Sequence, residues 1–373
     1  MSNEKQHNYP NRAADERGEK ESVKSRVLKY GLSVIFMIAI IWITFSILMR
    51  NYSWTEIRTS LAKTNPFYIA AGFLLMVLYV WCLARSLKIL LDRFIGEKVP
   101  FRICMQTMMI GFYFNNITPS ASGGQPMEVY FLHRRGVQAA HSSLIFIVLS
   151  YFFYIVMFIY AGLAMIFSFD LIIGSLGHVK YFLILGILFN GLVGVGCYLI
   201  IFKPKLLRSM VKGIMNFLIK IRLIRNPRKH FRKISGFLRN YENSSDKLKR
   251  SPRLMMELLG LCLLQVAALF IVPFVVCMAL GAPFSWKLLW ESFSLQSVLY
   301  MAVSAMPTPG AVGVTESGFV TMFESILPES EVMAAMILTR VVNLYGFLLI
   351  AAAVTLWSFT ISVNRPKLNL SDE

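Results

Sequence analysis

Charge is scarce in this sequence. Of its 373 residues only 16% are Asp, Glu, Lys or Arg, while 56% are apolar, and the mean hydropathy is +0.59. A soluble chain of this length needs a charged surface, so the composition excludes the soluble class. Motifs for hard chemistry are missing as well. Neither HExxH nor GxxxxGK[ST] occurs, which leaves zinc hydrolysis and phosphate-loop ATP use without support. The five cysteines (Cys82, Cys104, Cys197, Cys262 and Cys277) are scattered through apolar stretches at no metal-ligand spacing, and an odd number argues against a disulfide framework. The five histidines are equally dispersed. No cofactor and no metal site is expected.

What the chain does have is long apolar runs, several beyond the roughly 18 residues that mark a membrane span. The fold class is all-α and polytopic. Residues 1–30 read as a polar cytoplasmic tail, 31–363 as the membrane domain and 364–373 as a second cytoplasmic tail. The expected full spans are Leu32–Met49, Pro66 to about Leu91, Ser143–Phe169, Tyr181–Phe202, Leu254–Leu280 and one within Val332–Val363.

The net charge of +18 would suggest nucleic acid in a soluble protein. Here the cations concentrate in loops, with sixteen Lys and Arg in 203–253 alone. That pattern points to topology and anionic headgroups, and to no nucleic-acid partner. The basic loop and the N-terminal tail, with its seven Lys and Arg, both belong in the cytoplasm. An even number of crossings must then separate them. The count is even if 101–142 dips in from the cytoplasm and returns. By the same reasoning 286–331 dips from outside, which leaves Arg365 and Lys367 inside. The expected plan is about six full spans plus two oppositely oriented re-entrant hairpins. Residues 66–169 and 254–363 then form an inverted repeat, as in secondary transporters. Within the basic loop, 205–224 is amphipathic, with Leu206, Leu207, Met210, Val211, Ile214, Leu218 and Ile221 on one face. It should lie in the interface against an anionic leaflet.

Each expected hairpin turns at a run rich in proline and glycine: NNITPSASGGQPME (115–128) and PTPGAVGVTE (307–316). Proline removes a backbone donor and glycine admits dihedrals closed to other residues, so both helices should break there. Broken backbone at membrane depth survives only where protein or a water-filled cavity surrounds it. In each run a proline, Pro119 or Pro307, is followed nine positions later by a glutamate, Glu128 or Glu316. Ionisable residues at that depth are costly and mark functional candidates. Arg85, in the second span, and Arg340, in the last with Asn343 and Tyr345 beside it, read as a matching pair under the repeat. An arginine fork suits a phosphate, and the carboxylates suit an ammonium or a proton relay. A bracing role stays open beside this one. Both arginines could cap freed carbonyls or pair with the glutamates, and Asn115 and Asn116 could satisfy backbone at the turn. From Pro307 to Glu331 the chain carries Glu316, Glu324, Glu329 and Glu331 and no Lys or Arg. That is an acidic exit for a cationic headgroup, or a plain consequence of the topology rule.

The two runs, FNNITPSASGGQPMEVYFL followed by PTPGAVGVTESGF, resemble the lysylphosphatidylglycerol synthase transmembrane-region family. That family includes the flippase half of the bacterial multiple peptide resistance factor. The resemblance covers about residues 25–363. It implies a bacterial plasma-membrane protein, linked to antibiotic resistance, that moves aminoacylated phosphatidylglycerol or a related phospholipid between leaflets. Carried over by position are Asn115, Pro119, Gly123, Gly124 and Gln125 in the first run. In the second they are Pro307, Pro309, Gly310, Gly313 and Glu316, with Arg340 in the last span. Gln125 stands where many relatives have glutamate, and Ala311 replaces a common glycine, which should stiffen that turn. The family's soluble aminoacyl-transfer domain has no room after the last span, so aminoacyl transfer is not expected of this chain. A separate lipid-aminoacylating enzyme and a homo-oligomer are left open as partners, with membrane phospholipid the expected substrate. Two other functions compete. One is a membrane enzyme of lipid modification, such as a phosphatidylglycerol lysyltransferase, with Glu128 and Glu316 as acid and base. The other is a secondary transporter of a small solute.

Overall fold

The structure, a computed structural model, describes residues 64–96, 98–203 and 251–361, with isolated positions in 58–62 and 208–249. The expected first span Leu32–Met49, both tails and nearly all of the basic loop with its amphipathic stretch lie outside the described residues. Every regular element among the described residues is helical. In chain order they are α1 (Pro66–Ile95), α2 (Phe101–Ile117), α3 (Gly124–Arg134), α4 (Ala139–Phe167), α5 (Phe169–Ser175) and α6 (Val179–Phe202). After the basic loop come α7 (Pro252–Ala279), α8 (Trp286–Val303), α9 (Val314–Phe323), α10 (Glu329–Arg340) and α11 (Gly346–Ile361). Five stretches are long and apolar enough to cross a membrane: α1, α4, α6, α7 and the continuous rod Glu329–Thr360 made by α10 and α11. The chain is a multi-pass membrane protein.

Local chemistry sets the ends of α1. Asn65 caps it, its side chain accepting from the Phe67 amide at 3.0 Å, and Pro66 fills the first position, where its missing N–H costs nothing. Gly96, at φ 83°, closes it in the left-handed conformation.

α1 and α7 pack together at the centre, and two bonds fix their direction. The Asn65 amide, just before α1, donates to the Ala279 carbonyl at the end of α7 at 2.9 Å. Arg93 Nη2, in the last turn of α1, donates to Ser251 Oγ at the start of α7 at 3.1 Å. The pair is antiparallel. Because α2 follows α1 and α8 follows α7 across short connections, these two helices start at opposite ends of the pair.

Their surroundings correspond. α2 lies antiparallel along α11, with Phe112 on Phe347 at 5.2 Å between centroids and Arg102 over Trp357 at 4.3 Å. α8 lies antiparallel along α4, with Phe293 on Tyr160 at 5.0 Å and Trp290 on Phe167 at 6.2 Å. After α2 the chain turns at Pro119–Ala121 and α3 folds back along α2; after α8 it turns at Pro309–Ala311 and α9 folds back along α8. The two turns touch each other. On the outside, α6 presents Ile184, Leu188 and Leu192 as an exposed apolar stripe, the surface that hydrocarbon solvates without cost.

Candidate functional site

The touching turns have one backbone design. Each is a single 3-10 turn opening on a proline, Pro119 or Pro309. In each, the second and third residues are left-handed: Ser120 and Ala121 at φ 52°, Gly310 at φ 60° and Ala311 at φ 51°. A non-glycine residue in that region is strained by about 1–2 kcal/mol, so three of these four positions hold the chain against its preference. Ala311, expected to stiffen its turn, is one of them. The equivalence of Pro119 and Pro309 also corrects the nine-residue spacing, which paired Pro119 with Pro307. Pro307 lies outside the turn and is exposed, whereas Pro309 is buried. The two glutamates therefore sit differently: Glu316 is the third residue of α9, Glu128 the fifth of α3.

That offset decides what each carboxyl can reach. Glu316, in the first turn, accepts the Gly313 amide on Oε2 at 2.6 Å and so caps its own helix. Its Oε1 accepts from Arg340 Nε at 2.7 Å and from the Tyr345 hydroxyl at 3.2 Å. Arg340 Nη2 in turn donates to the Gly310 carbonyl, freed by the break, at 3.3 Å. Both members of the pair are buried. A π-helical turn, Val341–Tyr345, follows Arg340. In an α-helix, residues five apart point about 140° away from each other. The wider turn brings Arg340 and Tyr345 to the same carboxylate, a use common for π-bulges at functional sites. Asn343, on that turn, keeps its Oδ1 buried and without a hydrogen-bond partner among the described residues.

The first break is held from the preceding helix. Asn115 Oδ1 accepts the Gly124 amide at 3.1 Å. Thr118 Oγ1 accepts the Gly123 amide at 2.8 Å and donates to the Phe114 carbonyl at 2.6 Å. Asn116 Nδ2 returns to the Phe112 carbonyl at 2.8 Å. A Cβ at Gly124 would overlap the Asn115 carboxamide, so glycine is required there by close approach. Gln125 is exposed and donates to Ser150 Oγ on α4 at 2.8 Å. Glu128 is buried, with its Oε1 pressed against Gly111 of α2.

The structure does not bring Arg85 to this place. It lies on the helix before its hairpin, whereas Arg340 lies on the helix after its own, so the two are not equivalent. The Arg340 region meets α1 where Val342 packs on Gly72, and Arg85 is thirteen residues further along, about 20 Å of helix. Arg85 makes no hydrogen bond or ion pair with any other described residue.

Reading from sequence missed Asn190. This lone amide in the apolar α6 is buried and donates to the Met301 carbonyl at 3.3 Å and to Ser304 Oγ at 2.7 Å. It thereby satisfies the broken end of α8, as Asn115 and Thr118 serve the other break. Its signal was the cost of a single amide in a lipid-facing span. Tyr79 on α1, Gln265 on α7 and Tyr300 on α8 were also missed. Tyr79 lies beside Gln265 and within electrostatic reach of Glu128 and Tyr300, and Tyr300 within reach of Arg340. No cluster of His, Cys, Asp and Glu among the described residues could hold a metal ion.

The chain is similar to several membrane proteins. An UPF0104 membrane protein of Archaeoglobus fulgidus is 25% identical over 310 residues, which cover 80% of this chain and 87% of that one. Shorter matches reach UPF0104 membrane proteins of two other archaea. In Methanothermobacter thermautotrophicus the identity is 30% over 79 residues, 21% of this chain and 22% of the relative. In Methanocaldococcus jannaschii it is 28% over 104 residues, 28% of each. The model of the lysylphosphatidylglycerol synthase TM region matches residues 28–351, a stretch that holds both broken hairpins and the Glu316–Arg340 pair. The chain belongs to the lysylphosphatidylglycerol synthase TM region family.

Proposed function

We propose that the protein moves a phospholipid between the two leaflets of a cell membrane. The observation that carries this reading is the meeting of two broken helices that start from opposite ends of the α1–α7 pair. Irregular backbone at membrane depth needs protein or water around it, and discontinuous helices near the midplane are where transporters bind cargo. Exchanging α1 to α4 for α7 to α11 keeps the main helix–helix neighbours, although α2 alone packs against both turns. That supports an inverted repeat with two oppositely oriented re-entrant hairpins.

A lipid suits the site better than a small solute because the first turn is open. Pro119, Ser120, Ala121 and Ser122 are all exposed, so a headgroup can approach from the side while its chains stay in hydrocarbon. Sliding along polar backbone spares it a penalty of about 2.5–3.5 kcal/mol, the lenient figure for one charged side chain at the bilayer centre. The family description names lysylphosphatidylglycerol, and aminoacylated phosphatidylglycerol is the cargo we put first. The basic loop 203–253 would face the anionic cytoplasmic leaflet with both termini on that side. The bacterial plasma membrane is the setting the resemblance implies, and the archaeal relatives extend the family beyond it.

The test is leaflet exchange in vesicles containing the purified chain, with labelled phosphatidylglycerol and lysylphosphatidylglycerol as probes. The protein should accelerate exchange of at least one of them, and Arg340→Ala should abolish the acceleration. Exchange no faster than in empty vesicles for both lipids would overturn the reading.

A further inference from the structure

Glu128 and Glu316 are 7% and 4% exposed, yet only Glu316 has a resident cation. The Glu128 carboxyl makes no hydrogen bond or ion pair with any described residue. A buried carboxylate without a partner is among the most costly groups a protein can hold, and at membrane depth it marks an ion or proton path. Its surroundings narrow the choice. The contact of Oε1 with Gly111 leaves no space there even for a Cβ, which disfavours a bulky organic ammonium on that oxygen.

We propose that Glu128 is a proton-binding site that couples proton movement to the opening of the first hairpin. The carboxyl takes up one proton when α3 packs closed against α2 and releases it when they part, so each cycle carries one proton and needs no other reactant. The coupling rests on the lipid-translocation reading; proton binding itself does not.

The groups that face Glu128 are few. α1 contributes Tyr79, which lies beside Gln265 of α7. α4 and α11 carry no Asp, Glu, Lys or Arg, and α2 carries only Arg102, which stacks over Trp357 of α11. From Tyr79 the series continues through Tyr300 to Arg340 and its partner Glu316. This row of polar side chains lies between the open break and the braced one.

Infrared difference spectroscopy between acid and alkaline buffer, on the full chain in nanodiscs, reads the C=O stretch of a buried protonated carboxyl directly. The wild-type protein should give such a band. It should vanish in Glu128→Gln, move in Glu128→Asp and persist in Glu316→Gln, each variant first shown to be monodisperse. A band that survives Glu128→Gln, or its absence from the wild type, overturns the proposal. Displacement of the band at constant pH by sodium or ethanolamine overturns it in favour of a cation site. Lipid exchange measured on the same preparations separates the two levels. Loss of exchange with the band intact counts against transport, and loss of the band with exchange intact counts against coupling.

Discussion

The two breaks share a backbone and differ in everything attached to it. Both are Pro-X-Ala turns with left-handed second and third residues. The second is enclosed and locked, its glutamate held by an arginine, a tyrosine and a backbone amide at once. The first is open to the outside, braced by Asn115, Thr118 and the Gln125–Ser150 bond, and its buried glutamate meets no cation among the described residues. The difference teaches that a near-symmetric fold can divide its labour through an offset of two residues. Third place in a helix lets a carboxylate cap the helix and meet Arg340; fifth place turns it inward against Gly111. Under the proposed function, one half would serve as the fixed side of the passage and the other as the side that responds.

The sharpest way to break this contrast is at the lock. Arg340→Ala strands the Glu316 carboxylate and frees the Gly310 carbonyl, which should cost about 3–5 kcal/mol in unfolding measured in detergent. Replacing both partners, Arg340→Met with Glu316→Gln, should recover most of that loss. Equal losses in the single and double variants would show that the two do not act as a pair. At the open break the largest expected effect is steric. Gly111→Ala drives a methyl into Glu128 and should cost about 1–3 kcal/mol, largely relieved by Glu128→Ala in the same chain. Asn190→Ala leaves the end of α8 uncapped and should cost about 1–2 kcal/mol, read as a lower unfolding temperature. Smallest is Ala311→Gly, which relieves a left-handed alanine but loosens the unfolded chain. A net gain of about half a kcal/mol is expected, and a loss would contradict the left-handed geometry at that turn.

Much of the architecture was legible in the residues. The expected spans Ser143–Phe169 and Tyr181–Phe202 became Ala139–Phe167 and Val179–Phe202, because the length of an apolar run governs where a membrane helix can lie. The breaks were legible because proline and glycine act through local dihedrals. What failed was what depends on tertiary position. PTP offers two prolines to the same turn, and only burial chooses Pro309 over Pro307. Arg85 and Arg340 look alike as single cations in apolar helices, yet only one has a carboxylate opposite, contributed from 24 residues earlier in the chain. Asn190 was readable in principle, since a solitary amide in a lipid-facing helix needs a reason. Its partner Ser304 belongs to another element 114 residues away.

The proposed function requires the two turns, which touch in the structure, to part for a lipid to pass. A reversible tether tests it most directly. With the five native cysteines replaced by alanine, Ser120→Cys and Ala311→Cys put one thiol on each turn. The account predicts that oxidation links them within one chain and arrests leaflet exchange, and that reduction restores it. A link that forms while exchange continues at its full rate, or thiols that never join, would contradict it.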